Sequence, residues 1–196
     1  DLTRVYGILK IADTIAESDP RLYYAWGRYY LAKKMYTTAV AHYTEFLAHG
    51  AHVEKPATEY YNTLLDLGLV YIRLGEFKTA RVFLRKALRI TNADAEAFAR
   101  MGMYYRFMKK YKKAEAYLRR AIAGMPNQSQ YYVELILCLR DAGEDARARM
   151  ALMDLVYEDR YPGPEWDCDV AWCALLLHDF DRAEYLYQQI LTRYPA

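Results

Sequence analysis

Residues 95–128 read AEAFARMGMYYRFMKKYKKAEAYLRRAIAGMPNQ, and the reading of this stretch decides the fold. Phe98, Met101 and Tyr105 share one face of a first helix, and Tyr111, Ala114 and Leu118 share one face of a second. Pro126 stands where the second helix must stop. Gly102 sits inside the first apolar pattern, where glycine costs about 1 kcal/mol against alanine, so a packing reason has to offset it. Its counterpart is Ala114, twelve residues on: a glycine on one helix facing an alanine on the next lets the two axes approach closely.

The same spacing recurs outward in both directions. Gly27 and Gly68 match Gly102, while Ile136 and Ala171 hold the aligned site in two further copies. Ala39, Ala80, Ala148 and Ala183 again fall twelve residues later. Tyr36, Phe77, Tyr111, Asp145 and Phe180 precede the alanines by three residues, and Tyr43, Leu84, Leu118, Leu152 and Tyr187 follow them by four. The period is near 34 residues, with copies at 20–53, 61–94, 95–128, 129–162 and 164–196. Gly75 and Gly143 fall in the turns between paired helices, and Pro195 ends a second helix as Pro126 does. Residues 54–60 break the phase; Pro56, with Ala57 or Thr58 after it, predicts an early start for the first helix of the second copy. Ahead of the array, Val5, Ile8, Leu9, Ala12 and Ile15 predict a capping helix or half repeat over residues 1–19. At the rear, an uncapped last copy is expected to be covered by a further helix or a partner, and an opening Asp1 suggests a removed leader or a larger parent chain.

A small residue, a tyrosine, an alanine, an aromatic and a terminal proline at these intervals resemble the tetratricopeptide repeat family. The likeness is best in Leu67-Gly68-x-x-Tyr71 and in Phe98-x-x-Met101-Gly102-x-x-Tyr105. The last two copies depart from it: Leu139 and Ala174 replace the tyrosine and Asp145 replaces an aromatic, so these hairpins are expected to pack less regularly. The resemblance implies an all-α, right-handed α-solenoid of antiparallel helix pairs, five hairpins behind an N-terminal helix. It also implies a non-catalytic protein–protein interaction scaffold that binds a peptide or protein segment in a concave groove, during assembly of a larger complex. Two alternatives stay open, a regulatory region of a larger enzyme and a scaffold that associates with its own copies.

In a stacked-hairpin solenoid the first helices line the groove. The groove-facing offsets place Tyr24 and Arg28 in the first copy, with Arg21 beside them, and Asn62, Asp66, Leu69 and Arg73 in the second. Arg100, Met103, Arg106 and Phe107 follow in the third, Glu134 and Arg140 with Gln130 and Leu137 in the fourth, and Asp169 and Trp172 in the fifth. Guanidinium groups among aromatic and thioether side chains suit carboxylates and apolar anchors of a bound segment. The carboxylate clamp of some family members is mostly missing, because Tyr24, Arg28, Asp66, Glu96 and Arg100 hold its sites and only Arg100 matches. An asparagine ladder fails too, with Ala25, Asp66, Arg100, Glu134 and Asp169 at the relevant positions.

Composition agrees with an all-helical chain. Of 196 residues 54% are hydrophobic and 27% charged, enough for a core, while nine Gly and six Pro are few for a turn-rich β protein. No long uncharged apolar stretch predicts a membrane span. The net charge of +2 hides a segregation: residues 1–128 carry 21 basic and 12 acidic side chains, and 129–196 carry 6 and 13. Opposite halves of +9 and -7 favour oriented encounter and self-association at low salt. Lys33 and Lys34, and the run Lys109-Lys110-Tyr111-Lys112-Lys113, lie at helix turns, and Tyr111 belongs to repeat packing, so nucleic acid is not the expected partner. His49, His52 and Glu54 read as a surface loop rather than a metal site, and His42 and His178 as exposed residues. Cys138, Cys168 and Cys173 read as small core residues that favour a reducing compartment such as the cytoplasm, with the periplasm still open. No nucleophile elbow, phosphate loop or metal motif is present, so neither catalysis nor a cofactor is expected.

Overall fold

The computed structural model describes residues 1–16, 19–50, 58–90, 94–157 and 163–195. Among them are eleven α-helices and no strand. The chain divides into two units. Asp1–Asn92 holds α1 (Leu2–Ile15), α2 (Pro20–Ala32), α3 (Tyr36–Gly50), α4 (Thr58–Arg73) and α5 (Phe77–Ile90). Ala93–Ala196 holds α6 (Ala95–Phe107), α7 (Tyr111–Gly124), α8 (Ser129–Asp141), α9 (Asp145–Tyr157), α10 (Pro164–Leu176) and α11 (Phe180–Arg193). The starts follow local chemistry: Asp19 accepts the Arg21 N–H at 2.9 Å with Pro20 next in line, and Asp94 accepts the Glu96 N–H at 2.7 Å. Pro56 and Ala57 lie outside the described residues, while Thr58 is already helical.

In the first unit α2 pairs with α3 and α4 with α5, and α2 and α3 both pack on α4. Ala39, Tyr43, Leu67 and Val70 form the centre, walled by Tyr24, Tyr30, Tyr71 and Phe83. Helix α1 lies on α2, where Tyr6 meets the edge of Trp26 at 5.7 Å and Leu9 is buried. Of the other apolar residues of its predicted stripe, Ala12 is half-buried and Val5, Ile8 and Ile15 are exposed. In the second unit α6 pairs with α7, α8 with α9 and α10 with α11, and the first helices α6, α8 and α10 lie side by side. Leu118, Leu135, Ile136, Leu139, Leu155 and Trp166 are buried in its core. Cys138 and Cys173 belong to that core, and burial pushes their thiols up to about 11 and about 12. Cys168 does not: it is exposed.

The glycines explain how closely the pairs stand. A Cβ at Gly102 would come within 2.5 Å of Leu118 Cγ and 3.3 Å of the Ala114 carbonyl oxygen, and one at Gly27 within 2.5 Å of the Tyr43 ring. Gly68 faces Leu84 in the same way. The side chain that fills each glycine notch therefore comes from one turn beyond the repeat alanine. The alanine itself, fully buried at Ala39, Ala80 and Ala114, keeps its own turn small enough for that knob to enter. In the last two pairs Ile136 and Ala171 hold the glycine position, and both are fully buried.

The five turns inside the helix pairs close alike. The N–H of Met35, Glu76, Lys110, Glu144 and Asp179 each reaches back to the carbonyl of Tyr30, Tyr71, Tyr105, Leu139 and Ala174, while the preceding N–H bonds the carbonyl three residues before it. This is a Schellman closure, whose penultimate residue is left-handed. Gly75 and Gly143 adopt φ of 79° and 76° without strain, but Lys34, Lys109 and His178 are forced to 59°, 55° and 59°. Lys109→Gly and His178→Gly are each expected to stabilise the protein by about 0.5–1 kcal/mol in urea unfolding. Lys112→Gly, on the exposed face of α7, is expected to cost about 1 kcal/mol.

Candidate peptide-binding faces

In the first unit the structure gathers four predicted residues from two helices. Asn62 of α4 donates to the Tyr24 hydroxyl of α2 at 3.4 Å, and the Arg28 guanidinium lies 6.0 Å from the centre of the Tyr24 ring. The Tyr43 hydroxyl crosses from α3 to donate to Asp66 Oδ2 at 2.7 Å, and burial, reinforced by that carboxylate, holds its proton well above the usual phenol range. The adjoining Tyr24 hydroxyl, and then Asp66, keep Arg28 more firmly protonated than an ordinary arginine. Leu69 is half-buried further along α4, and Arg73 ends the helix exposed. Arg21 stands apart, forked onto its own cap residue Asp19.

In the second unit the predicted cations are bound into networks. Arg100 pairs with Glu96 at 2.8 Å, Glu96 also accepts the Tyr131 hydroxyl at 2.8 Å, and Met103 Sδ lies 3.9 Å from the guanidinium. Arg106 reaches from α6 to α8, meeting Glu134 at 3.2 Å and Asp141 at 2.9 Å, and its side chain is only 13% exposed. Arg140 shares Asp141 at 3.3 Å. Met103 is buried, whereas Phe107, under the Arg106 guanidinium at 5.0 Å, is 36% exposed. On α10, Asp169 accepts from Ser129 at 2.5 Å and Gln130 at 2.9 Å. Burial raises its carboxyl against the opposing pull of those bonds. Trp172 is 49% exposed.

Glu96 and Asp141 are the ion-pair partners that the sequence reading of binding residues omitted. Glu96 was legible, four residues before Arg100 on one helix. Asp141 was not, because its pairing with Arg106 needs α6 and α8 to be neighbours. His42, read as exposed, is half-buried against Tyr30 with ring centres 5.1 Å apart. His49 pairs with Glu45 at 3.2 Å, while His52 and Glu54 lie outside the described residues. Lys33 and Lys113 lie over Tyr29 and Tyr105, at 5.8 and 5.9 Å. Tyr111 packs on the core of the second unit.

Two models described as tetratricopeptide repeat match residues 61–94 and 100–165, together just over half of the chain. The chain belongs to the tetratricopeptide repeat family. Solved structures share the fold of this tetratricopeptide repeat chain. A tetratricopeptide repeat protein from Parabacteroides merdae ATCC 43184 is 17% identical, with a TM-score of 0.72 over 97% of this chain and 72% of that one. A thermophilic tetratricopeptide repeat protein of Thermus thermophilus is 18% identical, with a TM-score of 0.67 over 90% of this chain and 92% of that one. The pilF protein of Pseudomonas aeruginosa is 19% identical, with a TM-score of 0.62 over 100% of this chain and 85% of that one. No curated protein matches the chain. Tetratricopeptide repeats form a scaffold for protein–protein interaction and are typically non-catalytic. No described helix is long and apolar enough to cross a membrane.

Proposed function

We propose that this protein is a non-catalytic scaffold that holds a peptide or protein segment against the first-helix faces of its repeats, during assembly of a larger complex. The observation that supports this most is the placement of Phe107 and Trp172, large apolar side chains that remain partly exposed on helices whose opposite faces are buried. Arg28 and Arg73 stand exposed on the equivalent helices of the first unit. A segment on the second unit would cover the rings and one on the first would offer carboxylates to the cations, and helix faces that are already ordered lose little entropy.

Peptides selected from a random displayed library against the whole protein test this. Arg28→Glu with Arg73→Glu, or Phe107→Ala with Trp172→Ala, is expected to weaken the selected peptides by about tenfold or more. Lys78→Glu with Arg85→Glu, on the outward face of the second helix α5, is expected to change binding by less than about threefold. The opposite ranking moves the binding surface to the second helices and overturns the reading.

A further inference from the structure

A cavity of about 330 Å³ opens in the first unit between α1, α2 and α3, and its lining includes none of the candidate peptide-binding residues. Its wall is aromatic. Trp26 and Tyr30 stack with ring centres 5.7 Å apart, His42 lies on Tyr30 at 5.1 Å and within 11° of parallel, and Tyr23 also lines the space. Two carboxylates line the same cavity: Asp19, already forked by Arg21, and Asp13. Both oxygens of Asp13 share the single indole N–H of Trp26, at 3.0 and 3.1 Å, which leaves most of their acceptor capacity open. Lys10 also lines the cavity, with its ammonium over the Tyr6 ring at 5.9 Å. Burial lowers His42 against the pull of Asp13 and Glu45, so at neutral pH it adds a ring and no charge.

An electron-rich wall beside a carboxylate selects a planar cation. A guanidinium stacks on aromatic faces and forks onto a carboxylate, whereas an ammonium is a compact, strongly hydrated point charge. A neutral aromatic guest would strip water from Asp13 without replacing it. We propose that this cavity receives one arginine side chain of a partner segment, packed against the aromatic wall of Tyr23, Trp26, Tyr30 and His42 and hydrogen-bonded to Asp13. The site extends recognition beyond the first-helix faces and stands independently of them.

The test titrates the whole protein with N-acetyl-arginine methylamide and with its neutral isostere N-acetyl-citrulline methylamide, following the indole N–H of Trp26 by NMR. The arginine compound is expected to give a saturating shift, and the citrulline compound to bind about tenfold or more weakly. Asp13→Asn is expected to abolish the difference, since the amide oxygen still accepts the indole N–H but the charge is gone. Tyr23→Leu, which leaves the Asp13–Trp26 bond untouched, is expected to weaken the arginine compound several-fold. Equal binding of the two compounds, an unchanged preference in Asp13→Asn, or no shift with either overturns the proposal. Methylguanidinium binding more tightly than the capped arginine would assign the cavity to a small organic cation and overturn its assignment to a partner segment.

Discussion

Leu118→Ala is expected to destabilise the protein by about 3 kcal/mol, because a fully buried leucine is deleted and its neighbours are held by two helices. Gly102→Ala is expected to cost about 1–2 kcal/mol: the new methyl meets Leu118 Cγ at 2.5 Å, and the overpacking exceeds the roughly 1 kcal/mol that alanine gains as a helix former. The informative result is the double variant. With Leu118 shortened the methyl enters space that the leucine vacated, so Gly102→Ala becomes neutral or stabilising on that background. Coupling of about 1–2 kcal/mol is expected in urea unfolding at constant m-value. Additive costs would show that glycine and leucine do not share one notch, and would remove the packing reason for glycine in the helix.

Arg106→Met is expected to cost about 2–3 kcal/mol, since it removes the cation that Glu134 and Asp141 share and leaves Asp141 only its longer pairing with Arg140. The figure is below that for a fully buried pair because the Asp141 side chain is 31% exposed. Adding Glu134→Gln and Asp141→Asn is expected to restore most of the loss, as the two carboxylates that shared the cation are then neutral. Equal instability in the triple variant would mean that packing of the long Arg106 side chain, rather than its charge, joins α6 to α8. Arg106 thus positions the second unit's helices, and a binding defect in an Arg106 variant has to be read beside its stability.

Several features were visible in one dimension. Gly27, Gly68 and Gly102 have no reason to interrupt apolar helices unless something packs against them, so their spacing announced close helix pairs. The left-handed backbone of the turns was visible at Gly75 and Gly143 and hidden at Lys34, Lys109 and His178, where it carries a side chain that usually avoids it. The candidate binding residues divided similarly. Their helix and face could be read from period, but Arg100 and Arg106 proved to be held by acidic partners, and Met103 is buried.

By itself the sequence determined the helices, their pairing and the repeat, because those rest on periodicity and on small residues acting within about one repeat of chain. Tertiary structure alone decided which knob fills each glycine notch, that Arg106 joins Glu134 to Asp141, and that His42 completes an aromatic wall with Trp26 and Tyr30. Those contacts depend on the relative rotation and spacing of neighbouring helices. Many side-chain pairings satisfy the same apolar pattern, and only the packed geometry brings one of them within bonding distance.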